Sequence, residues 1–221
     1  MNAESTTAWG HGRHLTGRAR QLSVLVDGAR VPVTAPRPLS TDGLAGDVHP
    51  GGPERAVTVH PWEHYATWVD AGLPAVVEPA FGEQLTSVGL SEAEVFVGDT
   101  FRWGTAEVQV SAPAVPDPET VGAEVADRLG RSGHTGFHLR VVRAGKVGPD
   151  DLLELTDIDP AGVSLATVSL ALVDGPAAAG LTAERLLLLR DVLPADLVAG
   201  WERLLPATDL HRSADTVPAA G

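Results

Sequence analysis

The feature that most constrains this fold is a series of short segments in which apolar and polar residues alternate. The alternation is clearest at residues 21–26, 107–111 and 137–142, and shorter strand-like pieces stand at 31–33, 55–60, 95–97, 101–103 and 152–155. A period of two is typical of strands with one buried face. Turn signals such as Asp27-Gly28 separate the segments. The pattern predicts a mainly β fold, a barrel or sandwich rather than alternating βαβ units.

Helical periodicity is brief at 62–69 and 120–129 and then dominates the last part of the chain, at 163–173, 181–189 and 195–205. A unit of about fifty residues is too small to be very stable alone. We therefore expect it to pack on the barrel or on a second subunit, as in a homodimer. The predicted organisation is a flexible N-terminus (1–18), a β-barrel (19–158), a three-helix extension (159–206) and a flexible tail (207–221).

Composition narrows the classes of partner and cofactor. With 43% hydrophobic residues the 221-residue chain can form a substantial core, and its net charge of −13 disfavours binding to a phosphate backbone. No apolar run reaches the length of a membrane span, and the first residues do not resemble a secretory signal, so a cytoplasmic protein is expected. The chain contains no cysteine, which excludes disulfides, thiolate nucleophiles and any metal held by protein sulfur.

A glycine-rich segment at residues 43–57 concentrates polar groups just before a strand. Glycine loops at the mouth of a β-scaffold often present a ligand site, although a plain surface turn is the alternative. Asp47 and His49 could form a carboxylate–imidazole pair, or Asp47 could only cap a turn. Arg55 could anchor an anionic substrate or make a structural salt bridge. Gly51 and Gly52 lie in the same loop and are predicted to bind substrate.

Several segments, in order, resemble motifs of the MOSC domain family (molybdenum cofactor sulfurase C-terminal domain). They are GLAGD with GGPERAV (residues 43–57), HPWEHYATW (60–68), FGEQL (81–85), VGDTFRWG (97–104) and GKV (145–147). The helical end resembles the three-helix extension of the bacterial branch that detoxifies N-hydroxylaminopurines. The resemblance spans about residues 20–155 and implies a MOSC-type β-barrel.

The same resemblance implies binding of the molybdenum cofactor, with the metal on a protein cysteine, and reduction of N-hydroxylated compounds with electron-transfer partners. This chain departs from the family at that point. The family's cysteine position is Asp117 and its arginine position is Ala114. A carboxylate is a hard oxygen ligand whereas a thiolate is soft, and the loss of the arginine removes a bidentate anion clamp.

Three functional hypotheses follow. The first is an enzyme that acts on a small polar organic substrate by molybdenum-independent acid–base chemistry, with no cofactor. The second keeps the molybdenum cofactor, with Asp117 as an oxygen ligand, and reduces N-hydroxylated compounds. The third is a non-catalytic metabolite-binding barrel. Burial of Asp117 among its prolines would raise the pKa of its carboxyl group and suit it to proton transfer, whereas a solvated turn is the alternative.

The site residues predicted for the first hypothesis fall into two groups. Asp117, His49 and Asp47 are the predicted catalytic residues, and the predicted substrate-binding residues are Arg55, Glu83, Gln84, Gly51 and Gly52. Glu83 would orient a partner group or make a structural salt bridge. The histidines at 60, 64, 134 and 138 are scattered along the sequence, and no metal site is predicted from them.

Overall fold

The computed structural model describes residues 13–47, 51–70 and 77–202 of the chain. Its strands are β1 (Thr16–Val26), β2 (Ala29–Pro32), β3 (Arg37–Ser40), β4 (Gly43–Leu44), β5 (Val57–Pro61), β6 (Leu85–Val88), β7 (Thr100–Trp103), β8 (Ala106–Pro113), β9 (Phe137–Arg143), β10 (Gly145–Val147) and β11 (Leu152–Asp157). Its helices are α1 (Glu63–Asp70), α2 (Pro118–Val121), α3 (Ala123–Ser132), α4 (Leu165–Asp174), α5 (Ala183–Leu189) and α6 (Ala195–Glu202).

Seven strands close into a barrel, which confirms the predicted fold class. The sheet order is β11-β7-β8-β9-β5-β6-β1, and a further pairing of β11 with β1 completes the ring. The β5–β6 pair is parallel, whereas the other described pairings in the ring are antiparallel. Closure leaves no open edge within the ring itself. Strand β2 lies outside the ring against β1, and β10-β3-β4 form a small separate sheet.

The predicted hairpin after β1 is confirmed. Asp27 and Gly28 both have positive φ angles, 51° and 81°, the combination that a tight two-residue hairpin turn requires. Strand β5 begins two residues later than its prediction, because Pro53–Arg55 forms a 3-10 turn. Helix α1 buries Tyr65 and Trp68 as its periodicity predicts, but Val69 stays 42% exposed.

Helices α4–α6 share a single hydrophobic core with the barrel. Leu165, Val168 and Leu189 of the helices are fully buried in the same apolar cluster as Phe101 and Trp103 of the barrel. This packing stabilises helices that are too short to persist alone in water. The helical segment therefore packs on the barrel, which is one of the two arrangements expected from the sequence. No helix in the described ranges is long and apolar enough to cross a membrane.

Two predictions about the extent of elements are wrong. The flexible N-terminus was expected to reach residue 18, but β1 begins at Thr16, and Arg13 lies 2.6 Å from the buried carboxylate of Asp99. The strand expected at 95–97 is reduced to a single antiparallel bridge between Phe96 and Ser164, and the backbone N–H of Phe96 donates to Asp99 over 2.9 Å. Residues 1–12 and the predicted tail at 207–221 lie outside the described residues.

Candidate functional site

A cavity of about 210 Å³ opens between the barrel and the chain that follows β8. Its described walls are Thr58, His60, Phe81, Gly82, Glu83, Ala114, Val115, Pro116, Asp117, Val121, Leu129, Thr135 and His138. The cavity is smaller than the pockets that hold drug-sized ligands, which are about 300–1,000 Å³. Its size therefore suits a small organic molecule.

Strand pairing places Thr58 and His138 together on one wall. The two residues face each other in the β5–β9 register, and Thr58 Oγ1 lies 3.2 Å from His138 Nδ1. Because side chains alternate along a strand, His60 projects to the same side of β5 as Thr58. Sequence reasoning missed this grouping, although the alternation of Thr58 and His60 just after the glycine-rich segment was a usable signal.

Asp117 lies at the rim of the cavity, where β8 has ended and α2 begins. It is the N-cap of α2, and its Oδ1 accepts a hydrogen bond from the backbone N–H of Glu119 over 3.0 Å. The expectation that its prolines bury it is wrong, because Asp117 is exposed. Pro118 stands at the first position of the helix, and the extended conformation that the chain must adopt before a proline holds Asp117 at the surface.

His60 is the most deeply buried imidazole of the site, at 2% exposure. Its ring stacks on Phe81 with 4.2 Å between ring centroids. Burial first, and then the neighbouring imidazoles of His64 and His134, lower the pKa of His60 to about 3. Its Nε2 atom is buried and has no hydrogen-bond partner. His60 is therefore an uncharged ring near neutral pH with one polar atom unpaired.

Glu83 is fully buried and already saturated by donors. Its Oε1 accepts hydrogen bonds from the hydroxyls of Tyr65 and Thr86, and its Oε2 accepts one from the backbone N–H of Phe81. Burial raises the pKa of the Glu83 carboxyl group, although the hydrogen bond from Tyr65 acts in the opposite direction. Burial first, and then the nearby Glu83, raise the pKa of the Tyr65 hydroxyl. Glu83 thus stabilises the turn that positions Phe81 in the cavity wall.

The other histidines form a cluster behind the cavity wall. His64 Nε2 lies 2.6 Å from Glu92 Oε2, and the His64 and His134 rings stack with 4.2 Å between centroids. Glu92 Oε1 also accepts a hydrogen bond from the backbone N–H of Gly136 over 2.7 Å. Burial lowers the pKa of His134, and His64 lowers it further. This cluster ties α1 to the loop that leads into β9.

Asp47 and Gln84 lie together, but in a structural network outside the cavity wall. Asp47 Oδ1 accepts hydrogen bonds from the backbone N–H of Leu25 (2.6 Å) and from Arg30 (2.8 Å), and its Oδ2 accepts one from Gln84 (2.8 Å). Gln84 Oε1 in turn accepts a hydrogen bond from the backbone N–H of Thr58. This saturation favours a structural role for Asp47, which was predicted to be catalytic, and for Gln84, which was predicted to bind substrate.

The remaining predicted residues are not brought to the described cavity wall. Arg55 Nη2 lies 2.6 Å from Asp196 Oδ2 on α6, so it joins the barrel to the helical segment. Gly52 has a φ of 68° and starts the 3-10 turn, which is a conformational reason for glycine. Gly51 precedes it in the same turn. His49, the third predicted catalytic residue, lies outside the described residues.

Comparison with known proteins identifies the barrel. The model of the MOSC domain matches residues 46–154. The chain contains a MOSC domain. It is 40% identical over 128 residues to uncharacterized protein YflK of Bacillus subtilis and 38% identical over 140 residues to protein YiiM of Escherichia coli. These alignments cover 56% and 58% of this chain.

The curated relatives are matched only in part. The chain spans 58% of the length of YflK and 62% of YiiM. A more distant match, 29% identical over 133 residues, is a protein named Reductase from Gibberella moniliformis, of which 23% is covered, against 53% of this chain. The crystal structure of YiiM from Escherichia coli superposes with a TM-score of 0.70 at 26% identity, covering 84% of this chain and 91% of that one. The branch suggested by the helical extension stays a prediction.

The described cavity residues do not fit the way in which MOSC proteins are expected to hold molybdenum. The position of the expected sulfur ligand is Asp117, an exposed carboxylate that caps a helix. No lysine or arginine stands among the described wall residues to pair with an anionic cofactor. In the described ranges, no three histidine, aspartate or glutamate side chains could together hold a metal ion. The available oxygen donors are hard and anionic, whereas the expected thiolate is soft and the expected arginine is cationic.

Proposed function

We propose that the chain is an enzyme that acts on a small polar organic molecule in this cavity by acid–base chemistry, without molybdenum. One observation carries the proposal: Asp117 and His138, two side chains able to exchange protons, line the same small cavity. Such groups contribute to catalysis when they lie within hydrogen-bond reach of the substrate proton. Of the predicted catalytic residues, the proposal therefore retains Asp117, and it adds His138.

The surroundings of His138 suit a proton-transfer group. Thr58 Oγ1 contacts Nδ1 over 3.2 Å and orients the ring. An imidazole can both accept and donate a proton, which a general acid–base group requires. His60, in contrast, stays uncharged near neutral pH because its pKa is about 3, so we assign it no proton transfer.

Enzymatic activity is also favoured by the comparisons, at a coarser level. The MOSC domain occurs in enzymes, and one distant relative is named Reductase. Because the chain spans less than two thirds of YflK and YiiM, any activity of those whole proteins is only a proposal for this one. The assignment therefore depends on the cavity rather than on the names of relatives.

Solvent deuterium exchange tests the proposal for any substrate from which the enzyme removes a carbon-bound proton. The purified protein is incubated in D₂O with a mixture of small carbonyl and carboxylic metabolites, and loss of C–H signals is followed by proton NMR. Asp117→Asn and His138→Gln should each slow any exchange by about 100-fold or more. The control is Asp127→Asn, an exposed aspartate on α3 that is absent from the described cavity wall and contacts Arg131.

The outcomes separate the hypotheses. Exchange that survives in both cavity variants and in the control alike contradicts the proposal. Binding of a metabolite with no turnover by any variant indicates the non-catalytic barrel instead.

A second candidate is the family's reduction of N-hydroxylated compounds, and the similarity to a protein named Reductase favours it. Turnover of an N-hydroxylated purine with reduced viologen as electron donor measures this activity. If Asp117 replaces the lost thiolate as a ligand, Asp117→Cys should increase the rate, since a thiolate is the softer ligand. No turnover by either protein, after expression in a host that makes the molybdenum cofactor, removes this candidate.

A further inference from the structure

The backbone of Thr58 is held on both sides by one residue, Gln84. The N–H of Thr58 donates to the side-chain Oε1 of Gln84 over 2.8 Å, and the C=O of Thr58 accepts a hydrogen bond from the backbone N–H of Gln84 over 3.0 Å. Gln84 is only 2% exposed, so water competes little for these bonds. The place of Thr58 in β5 therefore depends on the place of Gln84.

Asp47 determines which way the amide of Gln84 points. A carboxylate only accepts hydrogen bonds, so the NH2 end of the amide must face Asp47, and the oxygen end is then left for the N–H of Thr58. Gln84 Nε2 donates to Asp47 Oδ2 over 2.8 Å. The other oxygen of Asp47 accepts from Arg30 and from the backbone N–H of Leu25. Asp47 is thus fixed in place while it orients Gln84.

The side chain of Thr58 extends this arrangement into the cavity. Thr58 and His138 both line the cavity, and Thr58 Oγ1 lies 3.2 Å from His138 Nδ1. The backbone of His138 is held separately, because the hydroxyl of Ser111 on β8 donates to its C=O over 3.1 Å. A hydrogen bond at one ring nitrogen of histidine favours one tautomer and one ring orientation. The contact with Thr58 therefore acts on the proton positions of the His138 ring.

We propose that Asp47 and Gln84 are positioning residues of the cavity, which act through Thr58 to fix the orientation and tautomer of the His138 ring. Neither residue is among the described wall residues. Each contact from Asp47 through Gln84 and Thr58 to His138 is 3.2 Å or shorter. The inference rests on the proposed function, in which His138 exchanges the proton. It connects the buried carboxylate of the glycine-rich segment to the chemistry of the cavity.

NMR of the imidazole rings tests the inference without any ligand. Long-range ¹H–¹⁵N spectra of the full chain at alkaline pH report the tautomer of each histidine, and His138 is identified by its loss in His138→Gln. Gln84→Met keeps a side chain of similar volume but removes both amide contacts. It should move the ring nitrogens of His138 toward the averaged shifts of mixed tautomers. A purely structural Gln84 would lower the melting temperature and leave this ring unchanged.

Deuterium exchange gives the second readout. For any metabolite that the wild type exchanges, Gln84→Met should lower kcat about 10- to 100-fold with little change in KM, since a misplaced group slows the reaction more than it weakens binding. The control is Gln109→Met. Gln109 donates from its amide to the backbone C=O of Gly98 over 3.0 Å and is absent from the described cavity wall. This control should leave both the His138 ring and the exchange rate unchanged.

Two further substitutions keep the test decisive if Gln84→Met does not fold. Thr58→Val removes the hydroxyl and keeps the shape, and it should change the His138 ring as Gln84→Met does, whereas Thr58→Ser should restore the wild-type ring signal. Asp47→Asn sets an amide N–H against one of three donors and should disturb the same ring. An unchanged His138 ring in both Gln84→Met and Asp47→Asn would overturn the inference. Equal spectra of Thr58→Val and Thr58→Ser would also overturn it.

The two proposals fail separately. If His138→Gln abolishes deuterium exchange while Gln84→Met changes neither the ring signal nor the exchange, the positioning role fails and the proposed function stands. If the His138 ring responds to Gln84 and Thr58 but no protein exchanges deuterium, the positioning role stands and the proposed chemistry fails.

Discussion

Asp47 and Asp117, which share one predicted catalytic group, occupy opposite environments in the structure. The Asp47 side chain is 0% exposed, and its carboxylate accepts three hydrogen bonds, one of them from Arg30. Asp117 is exposed at the rim of the cavity and caps a four-residue helix. Saturated, buried carboxylates hold folds together, whereas accessible ones can meet a substrate. Burial and hydrogen-bond partners, rather than position in a sequence motif, therefore distinguish the structural carboxylate from the accessible one.

The contrast extends to the groups around them. In the Asp47 network, Gln84 uses both ends of its amide, one to Asp47 and one to the backbone of Thr58. In the cavity wall, His60 leaves a buried nitrogen unpaired. The first region is saturated with hydrogen bonds, whereas the second leaves one buried polar atom without a partner, which costs stability. Substitutions in the two regions should therefore differ in what they change.

The largest effect is expected from Asp47→Ala. The change leaves the guanidinium of Arg30, which is only 15% exposed, without its buried partner. We expect the free energy of unfolding to fall by about 3–5 kcal/mol, measured by urea denaturation. Asp42→Ala alters an exposed aspartate in the nearby β3–β4 turn and should cost less than about 0.5 kcal/mol. Equal stability of the two variants would show that the hydrogen bonds of Asp47 do not contribute to the free energy of unfolding.

The second effect is a pH dependence carried by His60. Its pKa is about 3 in the folded chain and 6.5 as the reference value, so the unfolded chain binds the proton first as the pH falls. The free energy of unfolding therefore decreases between pH 6.5 and about 3. Between about pH 7 and about pH 5, the wild type should lose about 2 kcal/mol more than His60→Phe.

Denaturation curves of the two proteins at matched pH values measure this difference. The neighbouring His64 and His134 are present in both proteins, so their own titration largely cancels in the comparison. Parallel pH profiles would show that His60 can take up a proton in the folded chain, which would contradict its isolation from solvent.

A smaller effect on stability distinguishes the helix-capping role of Asp117 from its proposed role in proton transfer. Asp117→Ala removes the cap of α2 and should lower the free energy of unfolding by about 1 kcal/mol. Asp117→Asn keeps a capping side chain and should change it by only a few tenths of a kcal/mol, while still abolishing proton transfer. Thermal unfolding and deuterium exchange are measured on both variants. Full activity of Asp117→Asn would reduce this residue to a helix cap.

The smallest effect is expected at Arg55. Its ion pair with Asp196 is partly exposed, at 27% for Arg55 and 63% for Asp196, and such pairs contribute about 0–1 kcal/mol. Arg55→Ala should therefore lower stability slightly, by about as much as Asp196→Ala, and leave the rate of deuterium exchange unchanged. A loss of deuterium exchange in Arg55→Ala but not in Asp196→Ala would restore the predicted role of Arg55 as a substrate anchor.

The barrel could be predicted from the sequence because its signals are local. Alternation along residues 107–111 and 137–142 and the Asp27-Gly28 turn each depend on neighbouring residues, and the structure turns them into β8, β9 and a hairpin. The strand expected at 95–97 is reduced to one bridge with Ser164, and the backbone N–H of Phe96 donates to the side chain of Asp99 instead of to a neighbouring strand. A local side-chain acceptor competes with strand pairing in just this way.

The site resisted prediction because its contacts join distant parts of the chain. Thr58 and His138 meet only through strand pairing, 80 residues apart. Arg55 and Asp196 are separated by 141 residues. Motifs identified the segments that surround the cavity, but they did not indicate which carboxylate would be saturated. That depends on Arg30 and Gln84, which approach Asp47 from other strands or turns.

The molybdenum content of the purified protein decides whether the cavity has a chemistry that does not need the metal. Wild type and Asp117→Ala are purified from a host that makes the molybdenum cofactor, and metal and pterin are measured per chain. We predict no molybdenum above background in either protein, together with deuterium exchange by the wild type. Stoichiometric molybdenum and pterin in the wild type, lost in Asp117→Ala, would contradict a molybdenum-independent site.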